Sequence, residues 1–127
     1  MMAVDTSALM AVILNEARAA DCTALLEREA ELVISAATVA EALIVSDRRG
    51  VHAEMARLLD GLGFEVVPVT TATARRIVEI YRRWGKGRHE ASLNFGDCFA
   101  YDVAKTNDCP LLFVGNDFSK TDIRPSI

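Results

Sequence analysis

Met2-Ala3-Val4-Asp5-Thr6-Ser7-Ala8-Leu9 is the stretch that decides the fold. A short apolar run stops at three residues that each cap a helix, so it reads as strand, turn, helix. The same unit then recurs along the chain. A helical stretch over about 16–30 precedes the buried-strand run Leu32-Val33-Ile34, which ends at Ser35 ahead of a helix over 37–49. Val51, Met55, Leu58, Leu59 and Leu62 share one helix face that Gly61 and Gly63 close, and a strand over 65–69 follows. A further amphipathic helix runs from Thr71 to Trp84, then a polar loop Gly85-Lys86-Gly87-Arg88-His89, then a helix capped by Asn94 and reaching Asn107. Pro110 breaks it before a strand over 111–114 and the turn Gly115-Asn116-Asp117. Strands alternating with helices specify an α/β fold, a three-layer α/β/α sandwich around a central parallel sheet, with ligands beyond the strands' C-terminal ends.

Composition fits one such domain over residues 1–127. The 127 residues are 51% hydrophobic and 25% charged, enough to bury a core without a disulfide or structural metal. A net charge of −4 excludes a protein that coats nucleic acid by overall charge, though not a local basic face. Cys22, Cys98 and Cys109 form no C-x-x-C pair, and His52 and His89 are the only histidines, so any metal must be held by oxygen. No apolar run has the length of a membrane span and no leader pattern is present, so the expected location is the reducing cytoplasm.

The informative acids are those that stand alone. Asp5 is the only charged residue in positions 1–15, Glu41 in 32–46, Asp97 in 91–101 and Asp117 in 109–119. A carboxylate among apolar neighbours loses solvation unless something compensates. Asp5 ends the first strand, Asp97 lies in the first turn of the Asn94-capped helix, and Asp117 follows the last strand, so all three fall at one sheet edge. Glu41, one and a half turns into its helix, can reach the same crevice. A divalent cation would offset their mutual repulsion, and such oxygen sites commonly act on phosphate esters. Each acid also has a purely structural reading: Asp5 as an N-cap, Asp97 as the far half of an Asn94-x-x-Asp97 capping pair, Asp117 as a turn residue. Glu41, mid-helix between Ala40 and Ala42, is hardest to explain that way.

Arg75, Arg76, Arg82, Arg83, Lys86 and Arg88 crowd one segment. The helical arginines read as a solvated face, with Glu79 spaced to pair with Arg83. Lys86 and Arg88, in a Gly-flanked loop, are candidates for backbone-phosphate contact. Tyr81 and Trp84 read as core rather than as a stacking surface.

Taken together, Val4-Asp5-Thr6-Ser7-Ala8-Leu9, Glu41 in its Thr-x-x-Glu setting, the Gly85 to His89 loop, Leu93-Asn94-Phe95-Gly96-Asp97-Cys98-Phe99-Ala100-Tyr101 and Pro110 to Phe118 resemble a PIN-domain ribonuclease of the VapC toxin type. The resemblance implies a PIN-like fold and Mg²⁺- or Mn²⁺-dependent endonucleolytic cleavage of structured RNA, tRNA among the candidates. It also implies a small cognate antitoxin, a homodimer and a toxin–antitoxin hetero-oligomer. It would make Asp5 and Asp97 direct metal ligands, Glu41 and Asp117 further members of the catalytic pocket, and Thr6, Ser7 and Asn116 the residues that orient the carboxylates. Metal-activated water would attack phosphorus and leave 5′-phosphate and 3′-hydroxyl ends. Asp102, off the family pattern, is expected to be a surface or interface acid, and Asp122 is a weaker site candidate.

Two rivals bear comparison. A receiver-like signalling domain needs a phosphoacceptor Asp after the middle strand, where this chain has Val69-Thr70-Thr71. A catalytically inert PIN-like module that only binds RNA or protein would not need all four acids.

Overall fold

The computed structural model describes residues 1–127. Its elements are strand β1 (Met2–Val4), helices α1 (Thr6–Ile13) and α2 (Ala19–Arg28), β2 (Leu32–Ser35), α3 (Ala36–Arg48), α4 (His52–Gly61), β3 (Glu65–Val67), α5 (Thr71–Trp84), α6 (Phe95–Thr106) and β4 (Leu111–Leu112). All four strands are parallel, in the order β3-β2-β1-β4. The chain leaves β1 toward β2 on one side and returns to β1 with β4 on the other. This reversal is the kind of switch point beside which open α/β sheets form their crevice. No helix is long and apolar enough to cross a membrane.

Period-two alternation assigns the layers. Met2, Val4, Leu32, Ile34 and Leu112 pack with Leu9 of α1, Cys22 and Leu26 of α2, Ala42 of α3 and Met55 of α4. Ala3, Val33 and Leu111 point the other way, onto Ile77 and Ile80 of α5 and Phe99, Val103 and Ala104 of α6. Two apolar clusters on opposite faces of one sheet make the expected three layers. The receiver-like reading fails on the sheet itself: β3 is the edge strand and runs into Pro68 without an acid.

Several boundaries differ from expectation, three of them with a local cause. The helix expected from 16 begins at Ala19, preceded by Arg18, which supplies no side-chain cap. The strand expected over 65–69 stops at Val67, where Pro68 has no amide hydrogen to donate. The strand expected over 111–114 stops at Leu112, because the Val114 amide leaves the sheet and donates to Ser7 Oγ at 3.0 Å.

Asp102 is a larger correction. It is 4% exposed rather than on the surface, and its carboxylate takes two hydrogen bonds from Arg76, at 2.7 Å from Nε and 3.1 Å from Nη2. The reason is the place of α6. It lies on the sheet and packs against both α3 and α5, so the run from Asp97 to Ala104 is buried on every face and a turn away from Asp97 does not mean solvent. Asp122 leaves the candidate site too, accepting from Tyr101 Oη at 2.7 Å and Lys105 Nζ at 3.2 Å. Glu79 pairs with Arg82 at 2.7 Å instead of Arg83, whose guanidinium lies 4.6 Å from the Trp84 ring centre.

Candidate metal centre

Asp5 continues the alternation of β1. Its backbone is extended (φ −93°, ψ 155°), and its amide makes the last bond of the ladder, to Leu112 O at 3.0 Å. Val4 faces the α1 layer, so Asp5 falls on the α6 side of the sheet edge. It also caps α1: Asp5 Oδ2 accepts from the Ser7 amide at 3.1 Å and from Ser7 Oγ at 2.7 Å. Ser7 Oγ in turn accepts the Val114 amide. One hydroxyl thus ties the end of β1 to the segment that leaves β4.

Asp97 is fixed by a reciprocal capping box. Its amide donates to Asn94 Oδ1 at 2.8 Å, and its Oδ2 accepts the Asn94 amide at 3.0 Å. The structural readings of Asp5 and Asp97 as caps are therefore true, and they do not exhaust the two residues. In each, one carboxylate oxygen is anchored and Oδ1 accepts no hydrogen bond within the chain.

Both acids are nearly buried, Asp5 at 5% and Asp97 at 7% exposure, and neither has a cation. Every ion pair in the structure lies elsewhere. Burial is the main cause that pushes Asp5 up to about 6, the hydrogen bonds from Ser7 oppose it, and the charges of Glu41 and Asp117 add to it. Burial likewise pushes Asp97 up to about 7, against the Asn94 amide and helped by Asp5, Asp117 and Glu41. The four acids singled out by their isolation in sequence therefore share one electrostatic field.

Glu41 enters from α3, its Oε1 accepting from Thr6 Oγ1. Asp117 is exposed in the turn after β4, where Gly115 adopts φ +99° and re-aims the chain. Asn116 is also exposed, and its carbonyl, not its side chain, is engaged, by Ser119 Oγ at 2.7 Å. Lys86 and Arg88 are exposed in the loop after α5 and make no ion pair.

No three acidic, histidine or cysteine side chains close into a preformed cage. Asp5, Asp97 and Glu41 are each held by a donor and offer a free oxygen. That donor set fits Mg²⁺ or Mn²⁺, which keep several waters and use one or two carboxylates, better than an ion that needs a full protein cage.

Gly96 is a residue that the reading of the sequence passed over. Any side chain there would collide with the Glu41 carboxylate, since a Cβ would stand 2.9 Å from Glu41 Cδ and closer still to Oε2. The available signal was a glycine in the first turn of a helix, costly by up to about 1 kcal/mol against alanine and so a mark of close approach. Phe95 was passed over as well, although it is 68% exposed directly beside the acids.

Residues 2–124 match the PIN domain family. The chain is 43% identical to ribonuclease VapC36 of Mycobacterium tuberculosis, over 96% of this chain and 91% of that protein. It is 39% identical to ribonuclease VapC42 of the same organism, over 98% of each. Among solved structures, Mycobacterium tuberculosis VapC20, described as a sarcin-ricin loop cleaving toxin, superposes with a TM-score of 0.78 at 20% identity, covering 98% of this chain and all of that one. A toxin–antitoxin complex from Klebsiella pneumoniae gives 0.71 at 17% identity, over 96% and 93% of the two chains.

Proposed function

The chain belongs to the PIN domain family, with VapC ribonucleases among its relatives, and on that premise we propose that it is a Mg²⁺- or Mn²⁺-dependent endoribonuclease, the toxin of a toxin–antitoxin pair. The carrying observation is the pair of buried carboxylates, Asp5 and Asp97, close enough for their charges to act on one another, with a free oxygen each and no cation. Asp5 and Asp97 would hold the metal, and Glu41 and Asp117 would complete the pocket, directly or through water. When bound, the cation supplies Lewis-acid chemistry, polarising a phosphoryl oxygen and making water more acidic.

The chain's own groups do the rest. Ser7 orients Asp5, the Asn94 amide orients Asp97, and Thr6 holds one oxygen of Glu41 so that the other is available to the attacking water. A carboxylate of this cluster takes the water proton, the water oxygen adds to phosphorus as the bond to the 3′-oxygen breaks, and that oxygen takes up a proton from solvent. No side chain becomes bonded to RNA. His89 is turned edge-on to Trp84 with its Nδ1 occupied by the Ala91 amide, which supports a water-driven route over activation of a 2′-hydroxyl. The products carry 5′-phosphate and 3′-hydroxyl ends, and the substrate is a structured RNA such as tRNA.

A small antitoxin, whose C-terminal segment packs along the early helices, would silence the site by bringing a basic side chain to carboxylates that have none. The fold shared with a toxin–antitoxin complex from Klebsiella pneumoniae supports such a partner. A homodimer and a hetero-oligomer with the antitoxin are the proposed assemblies. Three free, buried cysteines accord with a cytoplasmic setting.

The test is incubation of antitoxin-free protein with total RNA in Mn²⁺, Mg²⁺ or chelator. Cutting in either metal, none in chelator, and fragments that a ligase joins through 5′-phosphate ends support the reading; metal-independent cutting, or cyclic phosphate ends, contradicts it.

Gly96→Ala checks the role given to Glu41. It adds helix propensity of up to about 1 kcal/mol while displacing the carboxylate. Thermal melts should show an intact fold, and the cutting rate should fall by about 10-fold or more; unimpaired cutting would remove Glu41 from the reaction.

A further inference from the structure

Phe95 is an exposed aromatic ring that folding does not account for. At the first position of α6 it covers little of the core, and a polar residue there would serve the helix better. Its position is nonetheless well defined. The Asn94–Asp97 capping box fixes the backbone on both sides of it, and it packs edge to face with Phe99, with ring centres 5.0 Å apart and planes at 85°. The ring is therefore held in fixed relation to the Asp97 carboxylate two residues on.

Two open grooves meet at this ring. One, of about 520 Å³, has Ile77, Val78 and Tyr81 as its floor and Arg82, Lys86 and Arg88 at its rim. The other, of about 460 Å³, passes Gly96 and Glu41 and runs along α3 to Arg48. Lys86 and Arg88 in the first groove and Arg48 in the second take part in no ion pair, so both grooves that Phe95 joins carry a cation free to meet phosphate. Cations along a track with an aromatic face between them are the elements of single-strand recognition, in which bases stack on the ring and the backbone follows the charge. A paired A-form helix keeps its base faces stacked inside and offers none to such a ring.

We propose that Phe95 is the residue on which this site stacks an unpaired nucleobase of its RNA substrate. This rests on the nuclease reading above and deepens it. Phe95 is a specificity-determining residue that sorts single-stranded from paired RNA, while Lys86 and Arg88 hold the backbone without distinguishing the two.

The experiment uses a fluorescein-labelled 12-nucleotide RNA of mixed sequence, single-stranded or annealed to its complement, with binding read by anisotropy in chelator over a range of salt. Wild type should prefer the single strand. Phe95→Ala should lose about 5- to 100-fold in single-strand affinity, little in duplex affinity and nothing in salt slope. Phe95→Tyr, which keeps the ring, should retain binding. Lys86→Ala with Arg88→Ala should weaken both probes and lower the salt slope by up to about 2.

Unchanged single-strand affinity in Phe95→Ala, or equal losses on both probes, overturns the proposal. So does a sedimentation profile in which Phe95→Ala splits a dimer that wild type forms, since the ring would then cover a second copy of the chain. Failure of wild type to cut RNA in Mn²⁺ would sink the nuclease reading instead, and the anisotropy series still decides what Phe95 does.

Discussion

Asp97→Asn should cut RNA at least about 10²-fold more slowly than wild type while keeping its fold. The substitution is chosen for what it preserves. Asparagine still presents a side-chain oxygen to the Asn94 amide, and its own amide still donates to Asn94 Oδ1, so both halves of the capping box survive. What disappears is the negative charge and the free Oδ1 of Asp97. Removing a single preorganised electrostatic element typically costs 10²- to 10³-fold in rate. Alanine at the same position would confound that loss with the lost cap, about 0.5–2 kcal/mol. Rates measured on one RNA at saturating Mn²⁺, beside circular dichroism of both proteins, check the result; a wild-type rate in Asp97→Asn would refute the metal assignment.

The second large effect concerns stability. Metal-free protein holds Asp5 and Asp97 in a poorly solvated crevice with Glu41 and Asp117 close by, and both carboxyls are raised above their ordinary range, to about 6 and about 7. Between roughly pH 4 and 7 the folded chain thus binds more protons at these two positions than the unfolded chain does. Their contribution is full at the acidic end and is lost as pH rises through the folded values, so in chelator they make the protein less stable at pH 8 than at pH 5.5. Cation binding needs the deprotonated carboxylates, so the stabilisation by Mn²⁺ should grow over the same interval. Wild-type melts across this range, with and without metal, should diverge as pH rises.

What could be read from the sequence and what could not divides along physical lines. Asp5 was legible because strand, cap and helix follow one another within a few residues, and local rules suffice there. Asn94 and Asp97 were legible as a capping pair for the same reason, and the structure forms it. Both acids are caps and each keeps a second carboxylate oxygen free, so the capping reading does not exclude the proposed site. Asp102 was misjudged because helical spacing says which face a residue occupies and not what covers that face; α6 is enclosed by the sheet, α3 and α5. Gly96 and Phe95 matter through contacts with Glu41 and with two grooves, and those contacts exist only once α3, α5 and α6 are brought together. Strand β4 was expected to be longer because its apolar run continues, but the Val114 amide has a better acceptor in Ser7 than a sheet partner.

The central claim is that Asp5, Glu41, Asp97 and Asp117 form one divalent-cation site, and thermal melts of wild type and Asp97→Asn at pH 7.5, each in chelator and in Mn²⁺, test it most directly. Mn²⁺ at about 100 times its dissociation constant should stabilise wild type by roughly 2.7 kcal/mol, a rise of several degrees. Asp97→Asn, relieved of one buried charge and still capped, should match or exceed wild type in chelator and gain little from Mn²⁺. A wild type indifferent to Mn²⁺, or a mutant that gains as much from it as wild type does, would contradict the shared site and leave the four acids as unrelated caps and turns.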